Sequence, residues 1–254
     1  MARGRGLGMS KARRQLRAAA VCLVTVALLG GSTAAAPSGT AHYPDLVTLK
    51  PSDLGIDSSG GRKLLVFSNT VWNAGNGPLE LRPANSAGQT KAYQRIYTHD
   101  GQGKWALQSE VLAGTFNFHS AHNHWHFDDF STYQIRNVAG DGSMGGNVKR
   151  TSTKQTFCLA DTIEINSSLE HAAQMSYPVS NCDQNNIQGI SVGWGDKYSW
   201  YLAGQNIDVT GLPNGVYYLY SVVDKTNRIR ETNNSNNGAS VKIRLRGTKV
   251  IVLS

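Results

Sequence analysis

Apolar and polar residues alternate along most of the chain in short runs, with no stretch at helical spacing past the first 35 positions. The run Lys63-Leu-Leu-Val-Phe-Ser-Asn-Thr-Val-Trp-Asn73 reads as a strand. Ala74-Gly-Asn-Gly-Pro78 ends it, and Leu79-Glu-Leu81 follows at once, as in a hairpin. Phe130 to Ile135 predicts another strand. Later, Gly215 to Val223 and Ala239 to Leu245 bracket a polar loop, Asp224 to Gly238. Aromatic and β-branched residues suit a pleated, half-buried surface. The pattern predicts an all-β fold: an antiparallel β-sandwich-like core with long irregular loops and few short helices, in one domain from about Tyr43 to the C-terminus. Residues 166–196 carry no regular pattern and are where a functional loop or a short helix would sit.

Composition changes the picture mainly at the N-terminus. The chain has 254 residues and a formal charge of +8, but six of its 25 basic residues lie in the first 17 positions with no acidic neighbour. They precede an apolar run, Ala18 to Leu29, and then Ser32-Thr-Ala-Ala-Ala36. A basic start, a short apolar segment and small residues predict a signal peptide over residues 1–35, cleaved near Ala35, with Ala41 as the alternative. Arg13-Arg14 also fits a twin-arginine signal. A linker, residues 36–42, then leads into the domain at 43–254. Removing the leader leaves 19 basic against 17 acidic residues, about +2, which gives no large electrostatic hold on nucleic acid. The apolar run is too short for a permanent membrane span. The expected location is therefore secreted: extracellular, or periplasmic in a host with that compartment. Cys22 leaves with the leader, and Cys158 and Cys182 remain as a pair suited to an oxidising compartment. They predict a structural disulfide.

The chemistry concentrates in Phe118-His119-Ser-Ala-His122-Asn-His124-Trp-His126, four of the seven histidines within eight residues. His122, His124 and His126 alternate, so a strand would turn them to one face about 6.6 Å apart. Neutral imidazoles with open positions favour Cu(II) on affinity, with zinc, nickel and iron as other occupants. A solvated scavenging tract would lack the bulky neighbours Phe116, Phe118, Trp125 and Phe127. His119 falls outside the alternation, as a supporting or surface group. Asp128-Asp129 either orients imidazoles or forms a solvated turn. Asp224, Glu231 and their Asn neighbours have a composition that fits calcium as well as an ordinary turn.

The histidine segment resembles the copper-binding segment of the lysyl oxidase family. Further stretches resemble that family in the same order: Pro44-Asp-Leu-Val47, Leu65 to Gly75 with Leu81-Arg-Pro83, Lys154-Gln-Thr-Phe-Cys158-Leu-Ala-Asp-Thr162, Gly189 to Tyr198 continuing to Thr210, and Pro213-Asn-Gly-Val-Tyr217 with Glu231 to Asn237. The resemblance implies a copper amine oxidase that carries a lysine tyrosylquinone. It places the crosslinked pair at Lys154 and Tyr198, and the copper ligands at His122, His124 and His126. It also implies primary-amine substrates, protein lysine side chains among them, oxidised to aldehydes with release of H₂O₂ and ammonia. Taken singly, Lys154 reads as a surface lysine and Tyr198 as a packed aromatic. The sequence departs from the family at Ala121, where the animal proteins have cysteine. It departs again at Thr132, where the family has a histidine proposed as a base; Asp128, Asp129 and His119 are then the candidates. A copper- or zinc-binding β-sandwich without a quinone is the rival reading, keeping the histidines and treating Lys154 and Tyr198 as scaffold.

Overall fold

A computed structural model describes residues 39–86, 89–100, 102–120, 123–153 and 156–253. The leader and most of the linker, together with His122 and Lys154, lie outside the described residues.

The fold is all-β, as the alternation predicts, and among the described residues the strands form three antiparallel sheets. In the first, Gln188–Ile190, Leu79–Ser86, Gln89–His99, Trp105–His119 and His124–Phe127 lie side by side, and Ala41–His42 adds to the Gln89–His99 strand. The second runs Met144–Thr151, Ser131–Val138, Gly215–Val223, Gly238–Arg246, Lys249–Leu253. The third is built on Leu64–Asn73, which pairs with Trp194–Tyr198, Asn206–Asp208, Leu46–Thr48 and Ser52–Asp57; Ile163–Glu164 completes it. Among the described residues the helical elements are two three-residue turns, Ser59–Gly61 and Val179–Asn181. No helix there is long and apolar enough to cross a membrane.

The expected hairpin between residues 63–73 and 79–81 does not form. Leu64–Asn73 belongs to the third sheet and Leu79–Ser86 to the first. Buried Asn73 explains the divergence. Its Oδ1 accepts from Asp45 N and Gly75 N, and its Nδ2 donates to Gly77 O and Ile190 O. All four of its hydrogen-bonding positions are used, tying the turn to the N-terminal segment. Asn76 N and Gly77 N donate to Tyr43 O. A Cβ at Gly75 or Gly77 would come within 2.5 or 2.6 Å of that segment's backbone, so only glycine permits the approach. The Gly215–Val223 and Gly238–Arg246 strands do pair directly, as their pattern predicts. The irregular stretch 166–196 contains two short strands besides its helical turn.

Phe67, Tyr133, Phe157, Ile207, Leu219 and Ile243 are buried in one core cluster. Tyr133 meets Phe67 edge-on at 4.9 Å, and Phe157 meets Tyr198 edge-on at 4.7 Å, so the core reaches the candidate site. Cys158 and Cys182 form the expected disulfide, 24 residues apart in sequence and nearly buried. Replacing both by alanine should lower the melting temperature by roughly 6–12 °C, because a loop of that length is worth about 3 kcal/mol. Thermal unfolding of the oxidised protein beside the double variant measures this; coincident curves would remove the bond from the stability argument.

Candidate active site

The histidine strand His124–Phe127 is held along both edges. On one side Phe118 faces Trp125 and His119 faces His124 across the ladder to Trp105–His119. On the other, Phe127 N donates to Phe157 O, Phe157 N donates to Phe127 O, and Trp125 N donates to Cys182 O. Buried Gln188 spans the same gap, donating to Trp125 O and accepting from Leu159 N. On that second edge the links run to Phe157, to Cys182 and, through Gln188, to Leu159, the residues on and around the disulfide.

His124 and His126 turn to one face, as period-two alternation requires, with ring centroids 4.7 Å apart. The His119 ring stacks on His126 at 4.8 Å, so the ladder brings His119 into the cluster although its position in sequence does not. His126 is fully buried, and its Nδ1 lies 3.1 Å from Thr156 Oγ1. An Nδ1 engaged in this way leaves Nε2 as the ring's donor to a ligand. Imidazoles gathered on a strand buttressed from both sides suit a borderline transition ion. Among the described residues, which exclude His122, no three His, Cys, Asp or Glu side chains are already poised as a complete metal-holding group.

Tyr198 ends the Trp194–Tyr198 strand, opposite Asn69 in the third sheet. Its hydroxyl donates to Cys158 O and accepts from Cys158 N, both at 2.8 Å. Burial pushes the phenol's pKa well above its ordinary value; the nearby Asp196 carboxylate pushes the same way, and the Cys158 N–H opposes. Tyr198, Asp196 and His124 line one cavity of about 360 Å³, together with Cys158, Val179 and Leu202. A space of that size admits an aliphatic chain between apolar walls. The sequence reading missed Asp196. Its only local signal is a carboxylate two residues before the tyrosine, and the sheet register is what carries it into the cavity.

The other sequence candidates lie elsewhere or have other work. Asp128 accepts from Thr115 Oγ1 and from Asn117, while burial raises its pKa. Asp129 pairs with Arg228 at 3.2 Å. Neither lines the cavity. Thr132 stands in the second sheet opposite Val222. In the loop read as a possible calcium site, Asp224 accepts from Arg228 N and Ile229 N, and Glu231 from Leu46 N and Asn237 Nδ2. Each of those four carboxylate oxygens has a protein donor, which is how the loop holds its shape.

The family model described as lysyl oxidase matches residues 98–254. Lysyl oxidase homolog 2 of Gallus gallus is 28% identical over 194 residues, covering 76% of this chain and 20% of that protein. The Homo sapiens homolog 2 is 27% identical over the same length and shares. Lysyl oxidase homolog 4 of Mus musculus is 27% identical over 192 residues, 75% of this chain and 20% of its own. The chain thus spans about a fifth of the length of these curated relatives.

Proposed function

The chain belongs to the lysyl oxidase family, and from that premise we propose that it is an exported copper amine oxidase. In this reading it converts primary amines, protein lysine side chains among them, to aldehydes, consuming O₂ and releasing H₂O₂ and ammonia. The observation that carries the proposal is the path of Thr156-Phe157-Cys158. One end of that tripeptide touches His126 through Thr156, and the other binds the Tyr198 hydroxyl through the Cys158 backbone. Lys154 lies two residues before Thr156 in sequence. The tripeptide that follows the candidate lysine in sequence thereby joins the candidate metal cluster to the candidate tyrosine.

The donor set fits copper: His122, His124 and His126 are the ligands we assign, with His119 beside them. When bound, copper and the lysine tyrosylquinone of Lys154 and Tyr198 supply the redox chemistry and an electrophilic carbonyl for the amine. The chain's own residues do the rest. Cys158 fixes the Tyr198 ring through two hydrogen bonds, and Phe157 packs against it. Val179, Leu202 and the disulfide give the cavity apolar walls against which an aliphatic chain can pack. Asp196 stands in that cavity beside Tyr198 and is our candidate to take the proton from the substrate's α-carbon, the role that Thr132 cannot fill. The basic, apolar and small residues of 1–35 and the Cys158–Cys182 bond support export.

The two hydrogen bonds that fix Tyr198 also suit a scaffold tyrosine in a metal-binding sandwich without a quinone. Peptide mass mapping of copper-loaded, aerobically matured protein separates the readings. The oxidase reading expects a single crosslinked species joining the Lys154 and Tyr198 peptides, together with amine-dependent H₂O₂. Ordinary unlinked peptides, full copper occupancy and no peroxide would defeat it.

A further inference from the structure

The copper motif uses four of the seven histidines, and the other three come together at a different place. His42 ends the short strand Ala41–His42, His99 ends Gln89–His99, and His171 sits in the loop between Ile163–Glu164 and Gln188–Ile190. Their ring centroids are 4.3 Å (His99 and His171), 5.1 Å (His42 and His171) and 6.1 Å (His42 and His99) apart. Three imidazoles bound through nitrogen to one tetrahedral ion, at about 2.1 Å each, would have centroids about 5 Å apart. The observed separations bracket that value. Trp105, opposite His99 in the ladder, lies within 4.6–5.4 Å of all three rings and covers one side of the group.

Hydrogen bonding sets the ring tautomers. The Nδ1 atoms of His42 and His171 both lie 3.1 Å from Asn76 O. A carbonyl oxygen only accepts, so each Nδ1 carries the proton and each neutral ring keeps its lone pair at Nε2. An Nδ1–H on a backbone carbonyl is the usual support of a histidine whose other nitrogen holds a metal. Glu170 Oε1 stands 3.8 Å from His171 Nε2, close enough to serve as a further oxygen donor. The Asn76 carbonyl is itself fixed, since Asn76 N and Gly77 N donate to Tyr43 O and Asn73 pins the turn from beneath. His171 is held at φ 67°, a left-handed conformation that a residue with a Cβ rarely adopts.

We propose that His42, His99 and His171 form a second transition-metal site, for zinc(II) or copper(II), separate from the histidine strand. The rings do not yet present a complete cage. Closing one takes rotation about side-chain bonds, a smaller cost than the coordination of a structural zinc ion returns. A bound ion would staple the N-terminal strand and the 166–178 loop to the end of the first sheet. The cavity beside this group shares no lining residue with the one beside Tyr198, so filling one leaves the other open.

The test is zinc stoichiometry of the untagged, leaderless protein, loaded with zinc chloride, gel-filtered and analysed for metal. We expect about two zinc per chain for the wild-type sequence and one for His171→Asn, since asparagine tolerates the left-handed backbone. The His124→Ala/His126→Ala pair should also hold one, and the three changes together none. His42→Ala replaces His171→Asn if circular dichroism shows that variant unfolded. A single zinc retained by the His124/His126 pair and lost from His171→Asn also supports the site. Zinc that disappears wholly with His124 and His126, a count that neither His171→Asn nor His42→Ala lowers, or no zinc at all would overturn it. None of these readouts depends on amine oxidation, so the site can fail while the oxidase reading stands, and the reverse.

Discussion

Tyr198→Phe should abolish amine-dependent H₂O₂ release and quinone staining while the β fold survives. The substitution removes one oxygen atom. If that oxygen is part of the mature cofactor, its loss removes the reacting group, and residual turnover should fall to the order of a thousandth or below. If Tyr198 is only scaffold, the change costs two hydrogen bonds to Cys158 and leaves that backbone unit short of partners, about 1–3 kcal/mol of stability. The ring's packing against Phe157 would remain. A peroxidase-coupled assay with a simple primary amine, run beside thermal unfolding, tells these outcomes apart. Lower melting with turnover intact would return the phenol to a structural role. The two measurements are needed together, because a destabilised enzyme also loses activity by unfolding.

The parts of this fold legible in the sequence are those where local pattern and final environment agree. His124 and His126 share a face because period-two alternation is a property of the strand itself. The pairing of Gly215–Val223 with Gly238–Arg246 reads directly because the strands are neighbours in sequence and the loop between them folds on itself through Asp224. The expected hairpin after Asn73 fails for the opposite reason. Ala74, Asn76 and Gly77 look like local turn residues, yet their backbone N–H groups donate to Asp45 O and Tyr43 O, about thirty residues away. The long pair Gln89–His99 and Trp105–His119 was not legible. Its register shifts after Ala92 and after Ile96, and each shift breaks the alternation that would announce a strand. His119, Asp196 and the group His42, His99 and His171 share one feature: each acquires its neighbours from a different strand or loop. A lone histidine or aspartate carries no mark of that in a single sequence.

His126→Ala should reduce copper affinity by more than about a hundredfold and prevent the Lys154–Tyr198 crosslink from forming. Loss of a residue that merely supports a ligand typically costs ten- to a hundredfold, and loss of the ligand itself should cost more. The position is also structural. His126 is fully buried between the His119 and His124 rings, with Nδ1 against Thr156, so truncation should cost about 2–4 kcal/mol as well. His126→Gln, which fills more of the space and offers a poorer donor, separates the two effects: melting should recover in part while copper does not. The same titration ranks the neighbouring histidines. With His122, His124 and His126 as ligands, His122→Ala should match the loss at His126, and His119→Ala should fall within the ten- to hundredfold range of a supporting group. The ring stacking admits the reverse assignment, with His119 on the metal and His122 outside. In that case His119→Ala would remove copper and His122→Ala would spare it, and the ligand set would be drawn from both strands of the ladder.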